Sequence, residues 1–274
     1  MQYLLAVVMG LVEGITEFLP VSSTGHLILA GDLLGFDGRV GKEFAGAFKI
    51  VIQLGAILAV VVAYPVRFAG LASLRHNRGL SGLRGIGLLV VTSIPAGLLG
   101  LAARKSIREF LFRPVPVTIA LAVGALWILW VESRRGRSRV ADVDSLGWKE
   151  ALGIGLFQCL SLWPGMSRSA STILGGITVG VERKAATEYS FFAAVPIMIA
   201  ASFYELYKSR GLLDASHLGI LAVGFGVSFL SAWAAVRLFV QFLARHTLVP
   251  FGWYRLAIAA AFGLLALGGF VTVD

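Results

Sequence analysis

The amino-acid sequence predicts an all-α integral membrane protein. Of its 274 residues, 57% are hydrophobic and only 14% are charged, whereas a soluble domain carries roughly 25% charged residues. Mean hydropathy is +0.84. Apolar runs of about 20 residues match the thickness of a bilayer, and they must be helical because a helix satisfies its own backbone in lipid. Six transmembrane helices are predicted, at residues 44–63, 85–103, 115–132, 186–205, 217–242 and 252–271.

Two further apolar stretches are interrupted. Residues 1–34 are split at Pro20, and residues 150–180 are split at Pro164-Gly165. No part on its own reaches the roughly 20 residues that cross a bilayer. Each stretch is therefore predicted to form a re-entrant helical hairpin, whose non-helical backbone lines a cavity or is buried in protein.

The hairpins and spans fall into two similar halves. Each hairpin is followed by three spans, so residues 1–132 and 150–274 form two repeats of a single membrane domain, residues 1–274. Three is an odd number, so the second repeat begins on the opposite side of the membrane from the first. The chain is thus predicted to be an inverted-topology repeat, an arrangement that usually places its site near the bilayer midplane between the halves.

The net charge of +9 indicates orientation in the membrane rather than nucleic-acid binding. Short basic loops normally face the cytoplasm. We therefore place loops 64–84 and 133–149 there, which leaves both termini outside and brings the hairpins in from opposite faces. Loop 104–114, on the opposite side, is also basic, so the difference in positive charge between the two sides is moderate. The residues behind this assignment are Arg67, Arg75, Arg78, Arg84, Arg134, Arg135, Arg137, Arg139 and Lys149.

Two acidic residues interrupt the first hairpin. Glu13 and Glu17 are four residues apart, so their carboxylates lie on one face of a helix. Two like charges in a low dielectric repel, and either a proton or a cation relieves the repulsion. A divalent cation neutralises phosphate oxygens, and a protonated carboxyl can act as a general acid. Glu13 and Glu17 are therefore candidate catalytic residues and candidate ligands of Mg²⁺ or Ca²⁺.

Hydroxyl groups gather after the proline of each break. A single hydroxyl there is an ordinary helix N-cap. Three in a row exceed the needs of a cap, and the free N–H groups of a helix start also bind anions. Arg168 adds a planar fork suited to phosphate oxygens. The sequence thus predicts a phosphate-binding site formed by Arg168 with Ser22, Ser23, Thr24, Ser167, Ser169 and Thr172.

Two more polar residues belong to the same group. His26 follows Ser22 by four residues and is a candidate base, acid, metal ligand or nucleophile. Gln158 is the counterpart of Glu13 in the second hairpin and is expected to hydrogen-bond in the same cavity. Polar groups at bilayer depth are costly, and they therefore indicate a functional site.

These motifs resemble a known family, the bacterial undecaprenyl-pyrophosphate phosphatases, which are membrane proteins linked to bacitracin resistance. The likeness covers nearly the whole length. The family usually has threonine where Met166 stands and glycine where Ala170 stands, and both changes are small. The two signature stretches are Glu13-Gly-Ile-Thr-Glu17-Phe-Leu-Pro20-Val-Ser22-Ser23-Thr24-Gly25-His26 and Pro164-Gly165-Met166-Ser167-Arg168-Ser169-Ala170-Ser171-Thr172.

The resemblance implies removal of the terminal phosphate from a C55 isoprenyl pyrophosphate, which regenerates the monophosphate carrier for cell-wall synthesis. It also implies the cytoplasmic (inner) membrane of a bacterium, an active site open to the outer face, and a homodimer. Arg168 and the hydroxyls would hold the pyrophosphate. Ser23, His26 or a water activated by Glu17 would be the nucleophile, and we favour Ser23 or water.

One alternative belongs to a different class of protein. Inverted repeats with polar midplane sites are typical of secondary transporters. The chain would then move a lipid phosphate or a small anion across the membrane, with Glu13 and Glu17 as coupling sites. Phosphate release in detergent, where no gradient exists, distinguishes hydrolysis from transport.

Overall fold

The computed structural model describes residues 1–73, 78–134, 136, 138–208, 210 and 217–269, and these residues are mostly α-helical. The helices they form are α1 (Gln2–Thr16), α2 (Ser23–Leu33), α3 (Phe36–Val40), α4 (Lys42–Ala63), α5 (Pro65–Ala72), α6 (Gly82–Ser106), α7 (Pro114–Ser133), α8 (Trp148–Gln158), α9 (Arg168–Thr178), α10 (Arg183–Lys208), α11 (Leu218–Leu243) and α12 (Val249–Leu267).

Six of these helices, α4, α6, α7, α10, α11 and α12, are long and apolar enough to cross a membrane, which confirms the predicted multi-pass fold. The span expected at 252–271 is wrong at its end. Helix α12 stops at Leu267, because two glycines follow and Gly269 has a φ of +73°. The last two residues of that expected span lie outside the described residues, as do Arg75, Arg135 and Arg137.

Each predicted hairpin is a pair of short helices separated by a break. Helix α1 ends at Thr16 and α2 begins at Ser23, with Pro20 between them. Helix α8 ends at Gln158, continues as one 3₁₀ turn, and is followed by α9. Proline lacks the N–H group that a continuous helix needs. The breaks therefore lie where the sequence predicts them, and the re-entrant path of each hairpin through the bilayer stays a prediction.

The ends of the second hairpin lie close together. The N–H of Glu182, just after α9, donates to the carbonyl of Val140, before α8, at 2.8 Å. The N–H of Arg139 donates in return to the carbonyl of Gly180, also at 2.8 Å. The segment that leads into α8 and the segment that leaves α9 therefore lie at the same end of the molecule.

The two halves pack on each other reciprocally. Helix α1 of the first half packs on α11 of the second half, and α8 of the second half packs on α6 of the first. The first spans of the two halves, α4 and α10, contact each other, as do the third spans, α7 and α12. A twofold relation between the two predicted repeats would produce this exchange. It brings the two breaks to a shared position, where they line one cavity.

Glycines let the first helix of each hairpin approach its partner closely. A Cβ added at Gly14 of α1 would overlap Ser231 Oγ and the carbonyl oxygen of Ser228 in α11. A Cβ added at Gly155 of α8 would lie 2.7 Å from the carbonyl oxygen of Thr92 in α6. Small residues allow helix backbones to meet in membranes. Both hairpins are therefore fixed to the spans by close backbone contact.

A buried ion pair holds three further elements together. Arg183 Nη2 of α10 lies 2.6 Å from Glu132 Oε2 of α7. Oε1 of Glu132 accepts from the N–H of Leu248 at 3.0 Å, and Arg183 Nη1 donates to the carbonyl of His246 at 3.2 Å. Buried charges are tolerated when they are paired and hydrogen-bonded. This cluster joins α7 and α10 to the turn before α12.

We expect Gly14→Ala to lower the thermal unfolding midpoint in detergent, because the added methyl group overlaps α11. Overpacking of this kind costs about 1–3 kcal/mol. The matched control is Gly46→Ala in α4, where an added Cβ meets nothing within 4 Å and alanine is the better helix former. Equal midpoints for the two variants would contradict close packing at Gly14.

Candidate active site

The two breaks share an uncommon backbone conformation. Ser22 and Ser167 have φ values of 73° and 74°, and they are the non-glycine residues with positive φ in the described part of the chain. Each caps the following helix: Ser22 Oγ accepts from the N–H of Gly25 at 3.4 Å, and Ser167 Oγ accepts from that of Ala170 at 3.2 Å. Such backbone costs of order 1–3 kcal/mol and persists only where the surroundings impose it.

The fourth residue after each of these serines holds its carbonyl group. His26 Nδ1 lies 2.8 Å from the carbonyl oxygen of Ser22, and Ser171 Oγ donates to that of Ser167, also at 2.8 Å. A carbonyl oxygen only accepts, so Nδ1 of His26 carries the hydrogen. Nε2 of the neutral ring then accepts from the Tyr254 hydroxyl at 2.7 Å. Both ring nitrogens of His26 are thus engaged by protein groups.

A buried arginine connects the two breaks. Arg255 of α12 is 0% exposed. Its guanidinium donates to the carbonyl of Pro20 in the first break at 3.2 Å, and to those of Gly165 and Met166 in the second at 2.9 and 3.0 Å. Two longer bonds, of 3.3 and 3.4 Å, reach carbonyl groups of α7. Among the described residues its hydrogen-bond partners are carbonyl oxygens, so no carboxylate neutralises this cation.

Glu17 joins the two hairpins through Ser23 and Arg168. Ser23 Oγ donates to Glu17 Oε2 at 2.5 Å, and Arg168 Nη2 donates to Oε1 at 3.0 Å. The Arg168 guanidinium lies over the Phe18 ring, 5.3 Å from its centroid, and donates to the carbonyl of Ser190 in α10 at 3.1 Å. A hydroxyl this close to a carboxylate can lose its proton to it and become a nucleophile.

Arg168 retains a donor for a ligand. Its Nε is buried and has no hydrogen-bond partner among the described residues. Guanidinium groups bind phosphate oxygens through two parallel N–H donors. The ion pair with Glu17 therefore orients Arg168 without using all of its donors.

These groups line a small cavity of about 110 Å³ between the two breaks, α4 and α10. Six residues that the sequence predicts for the site lie on its wall, and they supply a carboxylate, a guanidinium and several hydroxyls. Such a set can bind a phosphate group and place a hydroxyl against it. The wall consists of Glu17, Ser22, Ser23, Thr24, Gln53, Ser161, Trp163, Pro164, Gly165, Ser167, Arg168 and Met198.

Comparison with known proteins identifies the family. The family model described as "Bacitracin resistance protein BacA" matches residues 6–261. The chain belongs to the BacA family. It is 57% identical to Undecaprenyl-diphosphatase of Solidesulfovibrio magneticus, over 94% of this chain and 96% of that relative. The corresponding protein of Nitratidesulfovibrio vulgaris DP4 is 58% identical, over 93% and 94%. Undecaprenyl-diphosphatase 2 of Rhodospirillum rubrum is 51% identical, over 96% and 93%.

In this BacA family member, Glu13 and Gln158 are not among the residues that line the cavity. Both side chains are buried. The Gln158 amide nitrogen donates to the carbonyl of Thr92 in α6 at 3.3 Å. Among the described residues, Oε1 of Glu13 and Oε1 of Gln158 have no hydrogen-bond partner. The two residues hold matching places in the repeats, but Gln158 contacts α6 and is not one of the residues that line the cavity.

Two other predicted residues position the site from within the protein. Ser169 Oγ donates to the carbonyl of Leu19 at 2.6 Å and so ties the second hairpin to the first break. Thr172 Oγ1 lies 2.6 Å from Ser190 Oγ and donates to the carbonyl of Arg168 at 2.9 Å. Ser169 and Thr172 therefore fix the backbone around Arg168.

The candidate metal ligands are Glu13 and Glu17. Within the described residues there is no group of three or more histidine, cysteine, aspartate or glutamate side chains that could hold a metal ion by itself. Mg²⁺ in phosphate sites commonly takes one or two carboxylates and completes its shell with water and phosphate oxygens. Oε1 of Glu13, which is buried and has no hydrogen-bond partner in the described part of the chain, is the type of oxygen atom that such a cation binds.

Sequence reasoning missed Arg255, Tyr254 and Gln53. A signal existed for Arg255, which is the single charged residue between 249 and 267, because an ionisable group inside an apolar span marks a functional position. A similar signal existed for Gln53, an amide within the apolar run of α4. Tyr254 has no such signal, since aromatic residues are common in membrane helices.

We expect Arg255→Lys to lower the thermal unfolding midpoint by several degrees, because an ammonium has three donors and cannot serve both breaks. Losing charge-assisted bonds costs about 1.5–3 kcal/mol each, and each kcal/mol shifts the midpoint of a protein this size by roughly 2–4 °C. Arg237→Lys is the control, since Arg237 is exposed and stacks on Trp233. Equal midpoints for the two variants would refute the role given to Arg255.

Proposed function

We propose that this chain hydrolyses undecaprenyl pyrophosphate to undecaprenyl phosphate and inorganic phosphate. The observation that carries the proposal is the contact of Glu17 with both Ser23 and Arg168, in a cavity lined by hydroxyls. Membership of the BacA family and the names of its relatives, which are called undecaprenyl-diphosphatases, support the substrate. The reaction recycles the lipid carrier for peptidoglycan synthesis and accounts for bacitracin resistance.

In the proposed mechanism, Ser23 Oγ attacks the terminal phosphorus and Glu17 accepts the hydroxyl proton. The bond from that phosphorus to the bridging oxygen breaks, and undecaprenyl phosphate leaves with the proton from Glu17. Water then attacks the phosphoserine, Glu17 takes a proton from the water, and Ser23 regains its hydrogen as phosphate departs. Glu17 thus serves as base and then as acid in each step.

The other residues bind and position. Arg168 stabilises the negative charge on the phosphoryl oxygens, as positioned cations do in phosphoryl transfer. The hydroxyls of Ser22, Thr24 and Ser167 lie on the same wall and would donate to phosphate oxygens. His26 holds the carbonyl of Ser22, which keeps the neighbouring Ser23 directed at Glu17. This role favours Ser23 over His26 as the nucleophile.

A divalent cation, Mg²⁺ or Ca²⁺, belongs to the proposal. Glu13 and Glu17 would hold it together with phosphate oxygens. Bound there, it would neutralise part of the pyrophosphate charge. Glu13 would then serve as a ligand through Oε1, which has no hydrogen-bond partner among the residues that the structure describes, while Glu17 would retain its contact with Ser23.

We place the protein in the bacterial cytoplasmic (inner) membrane, with the cavity open to the outer face and both termini outside. The basic loops support this orientation, since positive loops normally remain in the cytoplasm. A homodimer is part of the same proposal and rests on the family resemblance alone. The transport alternative is not favoured, because the relatives are named as diphosphatases.

We expect purified protein in detergent to release phosphate from undecaprenyl pyrophosphate, and Ser23→Ala to release it at least ~100-fold more slowly, since a nucleophile or its base contributes roughly this much or more. Arg168→Lys should lower the rate of phosphate release by a comparable factor, because lysine cannot form two parallel hydrogen bonds with a phosphate group. Ser93→Ala is the matched control, because the Ser93 hydroxyl donates to the carbonyl of Leu89 in its own helix at 2.8 Å.

Quenching with a denaturing detergent at neutral pH during turnover should trap phosphate on Ser23, seen by mass spectrometry of the peptides. A phosphate bonded to nitrogen at His26 would also survive this quench, whereas acid would remove it. Phosphate trapped on His26 would overturn the assignment of the nucleophile. Full activity of Ser23→Ala would assign the attack to water instead. A folded wild type that releases no phosphate would refute hydrolysis altogether.

We expect EDTA to abolish phosphate release, and added Mg²⁺ or Ca²⁺ to restore it. Glu13→Gln should raise the cation concentration for half-maximal activity by about tenfold, because weakened metal coordination typically costs this factor. The measurement is a cation titration of both proteins after dialysis against EDTA. Activity that is unaffected by EDTA would remove the cation from the proposal.

A further inference from the structure

We propose that an apolar groove between the first hairpin and α11 binds the prenyl chain of the substrate; this inference rests on the proposed function. The groove has a volume of about 450 Å³. Its wall comes from the tip of the first hairpin, from α11 and from the start of α12. The residues that matter most are Ile15, Leu19, Ala235, Leu238, Phe242 and Phe251.

One short segment forms a wall of both the groove and the catalytic cavity. Residues 15–19 end α1 and begin the first break. Ile15 and Leu19 line the groove, whereas Glu17, between them, lines the cavity. The carbonyl of Leu19 also accepts from Ser169 of the second hairpin. The groove and the cavity therefore lie on either side of this one segment, and an apolar chain that passes around it from a head in the cavity would enter the groove.

The size of the catalytic cavity requires a second compartment. At about 110 Å³, it suits a phosphate-bearing head and leaves no room for a C55 chain. A further cavity of about 320 Å³ is lined by Arg134, Arg139, Ser138 and Thr178 among others, and such polar walls suit an apolar chain poorly. Among these three cavities, the groove on α11 is the apolar one.

The walls of the groove consist mainly of aliphatic and aromatic side chains. Half-buried alanines stand at 234 and 235, where little side-chain volume fills the groove. Phe251 packs edge-to-face against Phe239 and Phe242, with ring centroids 5.2 and 5.6 Å apart. Apolar surface buried here is worth about 25 cal/mol per Å². The groove therefore binds the isoprene units nearest the head, and the rest of the chain remains in lipid.

A phospholipid fits the groove less well. Ser231 is the polar residue among those that line it, and its hydroxyl already donates to the carbonyl of Val227 at 2.8 Å. A glycerophosphate head would find no charged partner on this wall. A prenyl pyrophosphate would place its charge across residues 15–19, at Glu17 and Arg168.

The first test introduces a bulky side chain into the groove. We expect Ala235→Phe to raise KM for undecaprenyl pyrophosphate roughly tenfold, the lower end of what steric exclusion from a hydrophobic pocket produces. The kcat/KM for dimethylallyl pyrophosphate, whose C5 chain is short, should not change. Ala102→Phe is the matched control, because Ala102 is exposed on α6, away from the groove. An unchanged KM, or an equal loss with both substrates, would overturn the proposal.

Photolabelling of the wild type provides an independent readout. A prenyl pyrophosphate with a diazirine on its second isoprene unit should label the peptide that contains residues 234–242. Excess undecaprenyl pyrophosphate should block the labelling, and dioleoyl phosphatidylcholine should not. Labels elsewhere, or equal blocking by the phospholipid, would refute the groove as a substrate site. A wild type without phosphate release would refute the proposed function, while the labelling would still test the groove.

Discussion

One buried guanidinium holds the site together. Two chain breaks leave carbonyl groups without helical partners, and at the membrane depth predicted for them lipid supplies no donors. Arg255 donates to both breaks at once, through the carbonyls of Pro20, Gly165 and Met166. A planar group with five fixed donors can do this, and a flexible ammonium cannot. Because its partners are carbonyl oxygens, the cation also leaves a positive potential behind a cavity that is suited to phosphate.

The strained serines depend on this arrangement. Ser22 and Ser167 adopt a backbone that L-residues rarely adopt, and each is held from both sides. Arg255 binds the carbonyls just before them, and the side chains of His26 and Ser171 bind their own carbonyls. The result is a pair of helix starts directed into one cavity. Rigid support of this kind is what positions a nucleophile against its base before substrate arrives.

Composition, the length of the apolar runs and the positions of the prolines were enough to predict the spans and the breaks, because lipid restricts the backbone to helices and proline interrupts them. The predicted end of α12 was wrong, because the apolar run in the sequence continues past the glycines that stop the helix. Glu17, Ser23 and Arg168 were predictable from residue type and depth. The direction in which the Gln158 side chain points was not predictable from the sequence, since it depends on the packing of α8 against α6. Arg255 carried a signal in its charge, but its five partners become visible only in three dimensions.

Ser23 and Arg168 occupy equivalent places, each directly after the positive-φ serine of its break. One repeat thus contributes a hydroxyl where the other contributes a cation, and a single carboxylate, Glu17, contacts both. An assembly of two identical halves would carry two hydroxyls or two cations at these places. Because both halves belong to one chain, the residue in each of these places can differ from its counterpart. The chemistry of this site is in that sense a product of broken symmetry.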